Sequence, residues 1–409
     1  MKILYDHQIF TIQKYGGISR YFCELMGRLS QDPDIELTLA LCKSRNENLR
    51  NLHLTNRGRK NNNISLCDAQ ESPIIQKIVH LGLPVARKIA HIGFPIIRKI
   101  APIDVLNNLR SNQRESIRLL NKQKYDIFHP TYYDPYFLQH LQQKPFILTI
   151  YDMIHELYPD YFSPNDFTKI WKKELIGQTE AIIAISESTK NDIMKFTGVE
   201  SDRISVVYLG NPLEYLDQPY RIKKNFEYPT LEKPYILFVG NRDGYKNFMF
   251  FIKSITELLK KNENLRVYCA GGGPFTHSEL KIFNTLDIFS KVRYVKTNDL
   301  IMKHLYENAC AFVFPSLYEG FGLPILEAFS CSCPALLSNS SSLPEVGADA
   351  ACYFDPIDPE SLIQSVETVI SDDHYREKLI KKGLERVKLF SWENTAQATK
   401  KIYDNLLYQ

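Results

Sequence analysis

Cysteines at metal or redox spacing, a strong net charge and long apolar runs are all missing from this sequence, and each absence excludes something. None of the eight cysteines makes a Cys-x-x-Cys pair, and Cys331 and Cys333 stand too close for the usual zinc spacing. Cys23, Cys42, Cys269, Cys310 and Cys352 lie among apolar residues, the pattern of buried reduced thiols in a cytoplasmic protein. A formal net charge of +3 over 409 residues is far from the basic excess of a nucleic-acid binder. No stretch of about 18 uncharged apolar residues occurs, so no membrane-spanning helix is expected. The opening Lys2-Ile3-Leu4-Tyr5, followed by Asp6 and His7, reads as a strand and not as a signal peptide.

What is present is enough apolar residue, 44%, for sizeable cores, in a chain long enough for about two domains. Short apolar runs at 2–5, 35–41, 127–129, 146–150 and 181–185 read as buried strands, and 235–239, 266–270, 292–295, 311–314 and 335–338 repeat the pattern. Helix-period segments at 18–30, 188–197, 248–260, 300–309, 323–329 and 361–371 separate them. Such alternation implies α/β architecture with parallel, doubly wound sheets covered by helices. The expected division is a first Rossmann-like domain over 1–216, a linker over 217–233 with prolines at 219 and 229, and a second Rossmann-like domain over 234–389. Ligands of such sheets bind beyond the carboxyl ends of the strands, so a cleft facing both domains is the expected site.

Residues 72–124 interrupt the alternation with an 11-residue near-repeat, Leu-Gly-Leu-Pro-Val-Ala-Arg-Lys-Ile-Ala then Ile-Gly-Phe-Pro-Ile-Ile-Arg-Lys-Ile-Ala. Apolar and basic blocks of this kind suit an insertion that dips into an anionic membrane surface. They equally suit a helical insertion packed on the first domain with its basic residues solvated, and the two readings are compatible.

The densest chemical signal is Phe314-Pro315-Ser316-Leu317-Tyr318-Glu319-Gly320-Phe321-Gly322-Leu323-Pro324-Ile325-Leu326-Glu327-Ala328. A buried strand runs into a glycine-bearing loop, and a helix starts near Leu323 or Pro324, where a proline is tolerated. Gly320 and Gly322 allow close backbone approach, and the N–H groups of the helix start favour an anion such as a diphosphate. Glu319 and Glu327 flank the loop. Asp32-Pro33-Asp34 matches a metal-binding Asp-x-Asp formally, but a proline turn between helix and strand accounts for it, and no metal is expected.

At these residues the sequence resembles glycosyltransferase family 4, whose members share a Glu-x7-Glu element of this form, and the resemblance runs over nearly the whole chain outside 72–124. It implies a GT-B fold, a nucleotide-sugar donor held mainly by the second domain, transfer with retention of configuration, and a terminal helix (390–409, beginning near Phe390-Ser391-Trp392) that crosses back to the first domain. Carried onto this chain, Glu319 faces the donor sugar, the Gly322–Pro324 backbone meets the diphosphate and Glu327 accepts hydrogen bonds from the ribose diol. The loop Gly240-Asn241-Arg242-Asp243-Gly244-Tyr245-Lys246-Asn247 maps Arg242 and Lys246 onto the diphosphate, where fixed cations stabilise charge developing on the leaving group. Gly271 and Gly272 border the base. Gly16 and Gly17, opening a helix after the first strand, approach the donor phosphates and the acceptor.

The family commonly has a His immediately before the Asp of Thr149-Ile150-Tyr151-Asp152, where this chain has Tyr151. Asp152, His155 and His129 then become the polar or proton-shuttling candidates, with a satisfied structural histidine as the alternative for each His. Ser186 matches a family serine near the cleft, though capping the following helix explains it as well. A hexosyltransferase is the expected activity, with GDP-mannose as first donor and UDP-sugars next, and with a glycan or lipid-linked glycan of a cell-surface polysaccharide as acceptor. A nucleotide-sugar epimerase on the same fold, and a non-catalytic nucleotide- or glycan-binding subunit, are the alternatives.

Overall fold

The computed structural model describes residues 1–49, 64–66, 103–214 and 227–408. The near-repeat and the rest of 72–102, and the linker residues 217–226, lie outside the described residues. The chain separates into two compact units, one of Met1–Ile185, Thr189–Val207 and Trp392–Gln409, the other of Ser186–Ser188 and Tyr208–Ser391.

The first unit contains β1 (Lys2–Tyr5), β2 (Glu36–Leu39), β3 (Ile64–Leu66), β4 (Ile127–His129), β5 (Ile147–Ile150), β6 (Ala181–Ala184) and β7 (Ile204–Val206). They form sheets in the order β3-β2-β1-β4 and β5-β6-β7, all parallel, and a parallel bridge from Phe128 to Phe146 joins the two. The second unit is one parallel sheet of β8 (Tyr235–Val239), β9 (Arg266–Ala270), β10 (Val292–Val295), β11 (Ala311–Phe314), β12 (Ala335–Ser338) and β13 (Ala351–Phe354), ordered β10-β9-β8-β11-β12-β13. That is the doubly wound order, with the reversal between β8 and β11. Strands covered on both faces read as unbroken apolar runs. Ile147–Ile150, Ala311–Phe314 and Ala335–Ser338 are buried at every position for this reason.

The apolar run 248–260 is not one helix. It divides into Phe248–Ser254 and Thr256–Lys261 around Ile255 (φ −90°, ψ 7°). The Ser254 and Thr256 hydroxyls donate to the Phe250 and Ile252 carbonyls at 2.8 and 2.9 Å, a back-bonding that bends helices.

The helix Trp392–Tyr408 belongs to the first unit. Trp392, Thr395, Ala396, Thr399 and Tyr403 make its buried stripe at helical spacing. Tyr403 is wholly buried, and its hydroxyl meets Tyr5 Oη at 2.9 Å and His129 Nδ1 at 2.6 Å. Among the described residues no helix is long and apolar enough to cross a membrane, and no group of three His, Cys, Asp or Glu is placed to hold a metal. Asp32 instead pairs with Lys400 at 2.7 Å and accepts from the Asp34 N–H at 2.9 Å, which makes Asp32-Pro33-Asp34 a turn tied to the last helix.

Candidate active site

Two loops leave the carboxyl ends of β8 and β11 at the reversal of the second sheet, where open α/β sheets bind ligands. The Leu317 N–H donates to the Tyr245 carbonyl at 2.8 Å and fastens one loop to the other. Across that fastening Lys246 Nζ lies 2.6 Å from Glu319 Oε1, with the two side chains 18% and 11% exposed. Ser316 Oγ donates to the same carboxylate oxygen at 2.6 Å. The end of β12 and the chain after it complete the support. Ser341 Oγ accepts from the Glu319 N–H at 2.9 Å, Ser342 Oγ donates to the Glu319 carbonyl at 2.9 Å, and Ser338 Oγ donates to the Ser316 carbonyl at 2.5 Å.

The helix Leu323–Ser330 begins directly after this loop, with Pro324 in its first turn and no side chain capping its start. Gly322 adopts φ +100°, and a Cβ there would lie 2.9 Å from Ile325 Cδ1. Only glycine makes this turn without strain. Phe321 is buried, whereas Leu323 and Pro324 are partly exposed. Glu327 follows one turn into the helix and accepts from the Tyr306 hydroxyl at 3.0 Å. Burial, reinforced by the Glu327 charge, holds that phenol well above its ordinary pKa, so it remains a donor.

Arg242 departs from the sequence expectation. Its side chain is 3% exposed and its Nε lies 2.5 Å from Glu279 Oε1. Nη2 donates to Glu279 Oε2 (3.3 Å) and the Pro274 carbonyl (3.1 Å), and Nη1 to the Gly271 carbonyl (3.2 Å). Phe275 covers the guanidinium, ring centroid 4.8 Å away. In this structure Arg242 braces the glycine loop, with its guanidinium bonded to Glu279 and to the Gly271 and Pro274 carbonyls. Gly271, Gly272 and Gly273 of that loop all take positive φ (80°, 60° and 72°), and a Cβ on Gly272 would lie 3.0 Å from the Gly240 carbonyl. Glu279 also closes a capping box with Thr276 at the start of the helix His277–Thr285. Burial alone would push Glu279 up, but hydrogen bonds from Arg242 and Thr276 outweigh it and hold the carboxyl below its usual range.

The first unit holds the remaining candidates. Gly16 is the extended N-cap of the helix Gly17–Leu29, and its carbonyl accepts from Asn48 Nδ2 at 3.0 Å, while Gly17 is exposed. His129 is corrected. Its ring is fully buried, with Nδ1 on Tyr403 Oη and Nε2 2.8 Å from Thr149 Oγ1, so both nitrogens serve the core. Burial lowers its pKa to about 3 and keeps it neutral. Tyr151 is corrected in the same way. It is buried, and its hydroxyl donates to the Thr131 carbonyl at 3.2 Å.

Asp152 is partly exposed, and its Oδ1 accepts from the Ile154 N–H at 3.1 Å. His155 stacks on Phe162 at 3.9 Å and turns Nε2 toward Asp166 Oδ2, 3.5 Å away, leaving Nδ1 buried without a partner. Ser186, which groups with the second unit, is buried and donates to the Gly320 carbonyl at 2.7 Å. Sequence reading missed Lys172, fully buried, which bonds the Asp152 carbonyl (3.0 Å) and Glu156 (2.7 Å). It missed Asp166, Glu279 and the serines Ser338, Ser341 and Ser342 as well. The Thr-x-x-Glu of the capping box was the one local signal available.

The glycosyltransferase family 4 model matches residues 15–215, and the glycosyl transferases group 1 model matches 221–386. The chain is 28% identical over 302 residues to O-antigen chain mannosyltransferase B of Escherichia coli, covering 71% of this chain and 77% of that one. It is 28% identical over 225 residues to O-antigen chain mannosyltransferase RfbU of Salmonella typhimurium, covering 54% and 60%. In architecture it resembles sucrose-phosphate synthase of Thermosynechococcus elongatus, with a TM-score of 0.68, 16% identity and coverage of 99% and 98%. Anabaena HepE in complex with UDP-glucose superposes with a TM-score of 0.64 at 12% identity, over 99% and 100% of the chains. With each unit matched by its own family model and the two-unit fold shared with solved relatives, this chain belongs to glycosyltransferase family 4 and has the GT-B fold.

Proposed function

We propose that this protein transfers a hexose, mannose before others, from a nucleoside diphosphate sugar to a glycan or lipid-linked glycan during cell-surface polysaccharide synthesis, with retention of configuration. The observation that carries the reading is the Lys246–Glu319 pair beside the uncapped start of Leu323–Ser330. A leaving diphosphate gains negative charge as the sugar bond breaks. Lys246 and the first-turn N–H groups would stabilise that charge, with Glu319 at the sugar and Glu327 on the ribose diol. The leaving diphosphate would take the acceptor's proton as attack occurs on the same face, and the reading assigns no metal. Asp152 and His155 remain the polar candidates of the first unit.

GDP-mannose is the first choice of donor, because O-antigen mannosyltransferases stand among the relatives. UDP-sugars come next, because Anabaena HepE is described with UDP-glucose. The basic, apolar composition of 72–124 supports a cytoplasmic protein peripheral to the membrane. A screen of nucleotide sugars for protection against thermal unfolding tests the donor half, because a ligand of the native state alone raises stability. No shift with any nucleoside diphosphate sugar would sink the reading. Burial of Arg242 and Tyr151 favours one other reading, a non-catalytic nucleotide-binding subunit, which would bind donor and turn nothing over with any acceptor. Conversion of donor without acceptor would mark an epimerase.

A further inference from the structure

Two thiols stand side by side where β11 and β12 begin. The register of these parallel strands pairs Phe312 with Ala335, and the Phe312 N–H donates to the Pro334 carbonyl at 2.8 Å. Two residues back along each chain, Cys310 comes beside Cys333. Cys310 is still in line with the sheet, because its N–H donates to the Tyr235 carbonyl of β8 at 2.9 Å. Neighbouring strands run about 4.8 Å apart, within the Cα separation of about 4.4–6.8 Å that a disulfide spans. Paired residues also point to one face, and Cys310 shares its face with Phe312, two residues on. The helix Asp299–Asn308 covers that face, since Tyr306 packs on Phe312 with ring centroids 5.5 Å apart and Tyr235 Oη donates to the Leu305 carbonyl at 2.6 Å.

The two thiols differ in reach. Cys310 is partly exposed, whereas Cys333 is 2% exposed. Cys333 Sγ lies 3.7 Å from the Pro334 carbonyl, and the Phe312 N–H bonds to the sulfur as well, so this thiol leans toward β11. Burial, then the charges that Cys331 and Cys310 would carry, push the Cys333 thiol well up, and that N–H only partly opposes them. Cys310 follows the helix Asp299–Asn308, which carries Tyr306, and Cys333 follows Leu323–Ser330, which carries Glu327. The Tyr306–Glu327 hydrogen bond at 3.0 Å therefore joins the same two helices whose ends the cysteines flank. Residues 311–332, between the cysteines, contain Glu319, Gly322 and Glu327.

We propose that Cys310 and Cys333 form a reversible disulfide with a small disulfide such as glutathione disulfide as oxidant, and that this bond lowers the affinity of the second unit for a nucleoside diphosphate. The Cys310 thiolate attacks one sulfur of glutathione disulfide and expels a glutathione thiolate. Cys333 then gives up its proton and attacks the Cys310 sulfur, which forms the protein disulfide and expels the second glutathione. Two protein thiols lose two electrons, glutathione disulfide gains them, and the two protons end on the glutathione thiols. The Cβ atoms of a disulfide stand about 3.8 Å apart, less than the strand spacing, so closure draws the end of Leu323–Ser330 toward β11 by on the order of 1 Å. Glu327 is one turn from that end, its carbonyl accepting from the Cys331 N–H at 3.2 Å. A displacement of that size is enough to weaken a positioned contact. The nucleotide effect rests on the transferase reading, whereas the bond itself does not.

The test equilibrates the whole protein in glutathione buffers from fully reduced to fully oxidised, alkylates the remaining thiols and maps the peptides by mass. The expected product is a Cys310–Cys333 bond that dithiothreitol removes. The oxidised protein should unfold about 5 °C higher, because the closed ring restricts the unfolded chain. It should also bind GDP or UDP, titrated calorimetrically, roughly threefold or more weakly than the reduced protein. Cys310→Ser should melt and bind like the reduced protein in every buffer. No bond in glutathione disulfide, a bond from either cysteine to Cys331, or a mixed disulfide on Cys310 that never resolves would overturn the proposal. So would an oxidised form with unchanged nucleotide affinity, or one that loses stability and affinity together, which is the mark of general oxidative damage. Should Cys310→Ser fail to fold, mapping and titration of the unaltered protein decide. Reduced protein that binds neither GDP nor UDP would sink the transferase reading separately, with the mapped bond and the rise in unfolding temperature still deciding the disulfide.

Discussion

Replacing Glu279 by glutamine distinguishes the two jobs that Arg242 could hold. As a buttress, Arg242 depends on Glu279 to offset its charge inside the glycine loop, with side chains only 3% and 10% exposed. Breaking one side of a buried pair costs about 3–5 kcal/mol, because the other charge is left uncompensated. In a unit of this size that lowers the unfolding temperature by on the order of 10 °C. Arg242→Met should cost a similar amount, and the double variant should cost clearly less than the two single losses added together, the sign of a direct pair. Acid unfolding supplies a second reading. Glu279 is held below its unfolded pKa, so its contribution is present above the ordinary glutamate range and is lost as pH falls through the lower folded value. Glu279→Gln should therefore flatten the acid limb of stability against pH below about 4.5. Calorimetric unfolding and urea melts across that range make the measurement, with donor affinity followed in parallel. If Arg242 were instead a diphosphate ligand restrained by Glu279, Glu279→Gln would leave stability nearly unchanged and tighten donor binding. That pair of results would refute the buttress.

Other outcomes follow from the same geometry. Lys246→Ala should abolish the donor-induced thermal stabilisation, which at 100 times Kd is worth about 2.7 kcal/mol, and an undiminished shift would remove Lys246 from the site. Gly322→Ala forces a side chain into φ +100° and against Ile325, at a cost of about 1–3 kcal/mol, and should weaken donor binding along with stability in the same melts. His129 and His7 have folded pKa values near 3 and 4 against about 6.5 unfolded, so the unfolded chain takes up protons first and stability falls as pH drops below about 6.5. Each contributes up to about 1.4 kcal/mol per pH unit in that window, and urea midpoints for His129→Gln should lose one proton's worth of slope between pH 6.5 and 4.

The sheets were legible because their strands are covered on both faces and appear as unbroken apolar runs. Tyr235–Val239, Ala311–Phe314 and Ala335–Ser338 fall where periodicity puts them. Ile204–Val206 and Ala351–Phe354 escaped notice, since edge strands are half covered and break their runs with Ser205 or Tyr353. Within the candidate site, the loop-to-helix passage through Gly322 is local and could be read from spacing. The partner of Arg242 could not, because Glu279 stands 37 residues away on the helix His277–Thr285. Lys172 carried no signal in the sequence, because only the fold turns this residue of Thr168–Gln178 inward onto Glu156. His129 shows the reverse error. It ends a strand at the ligand edge, yet a tyrosine 274 positions later claims its Nδ1.

That tyrosine also orders events during synthesis. Tyr403 arrives on a helix that completes the first unit after the whole of Tyr208–Ser391 has been made. At about 5–20 residues per second the ribosome needs on the order of 10–40 s to span that interval. Throughout it the nascent first unit exposes the seat of Trp392 and Tyr403, with Tyr5 and His129 still wanting their partner. The N-terminal half therefore cannot finish folding ahead of its neighbour, and whatever occupies that seat meanwhile, water, a chaperone or another chain, must leave before the last helix docks.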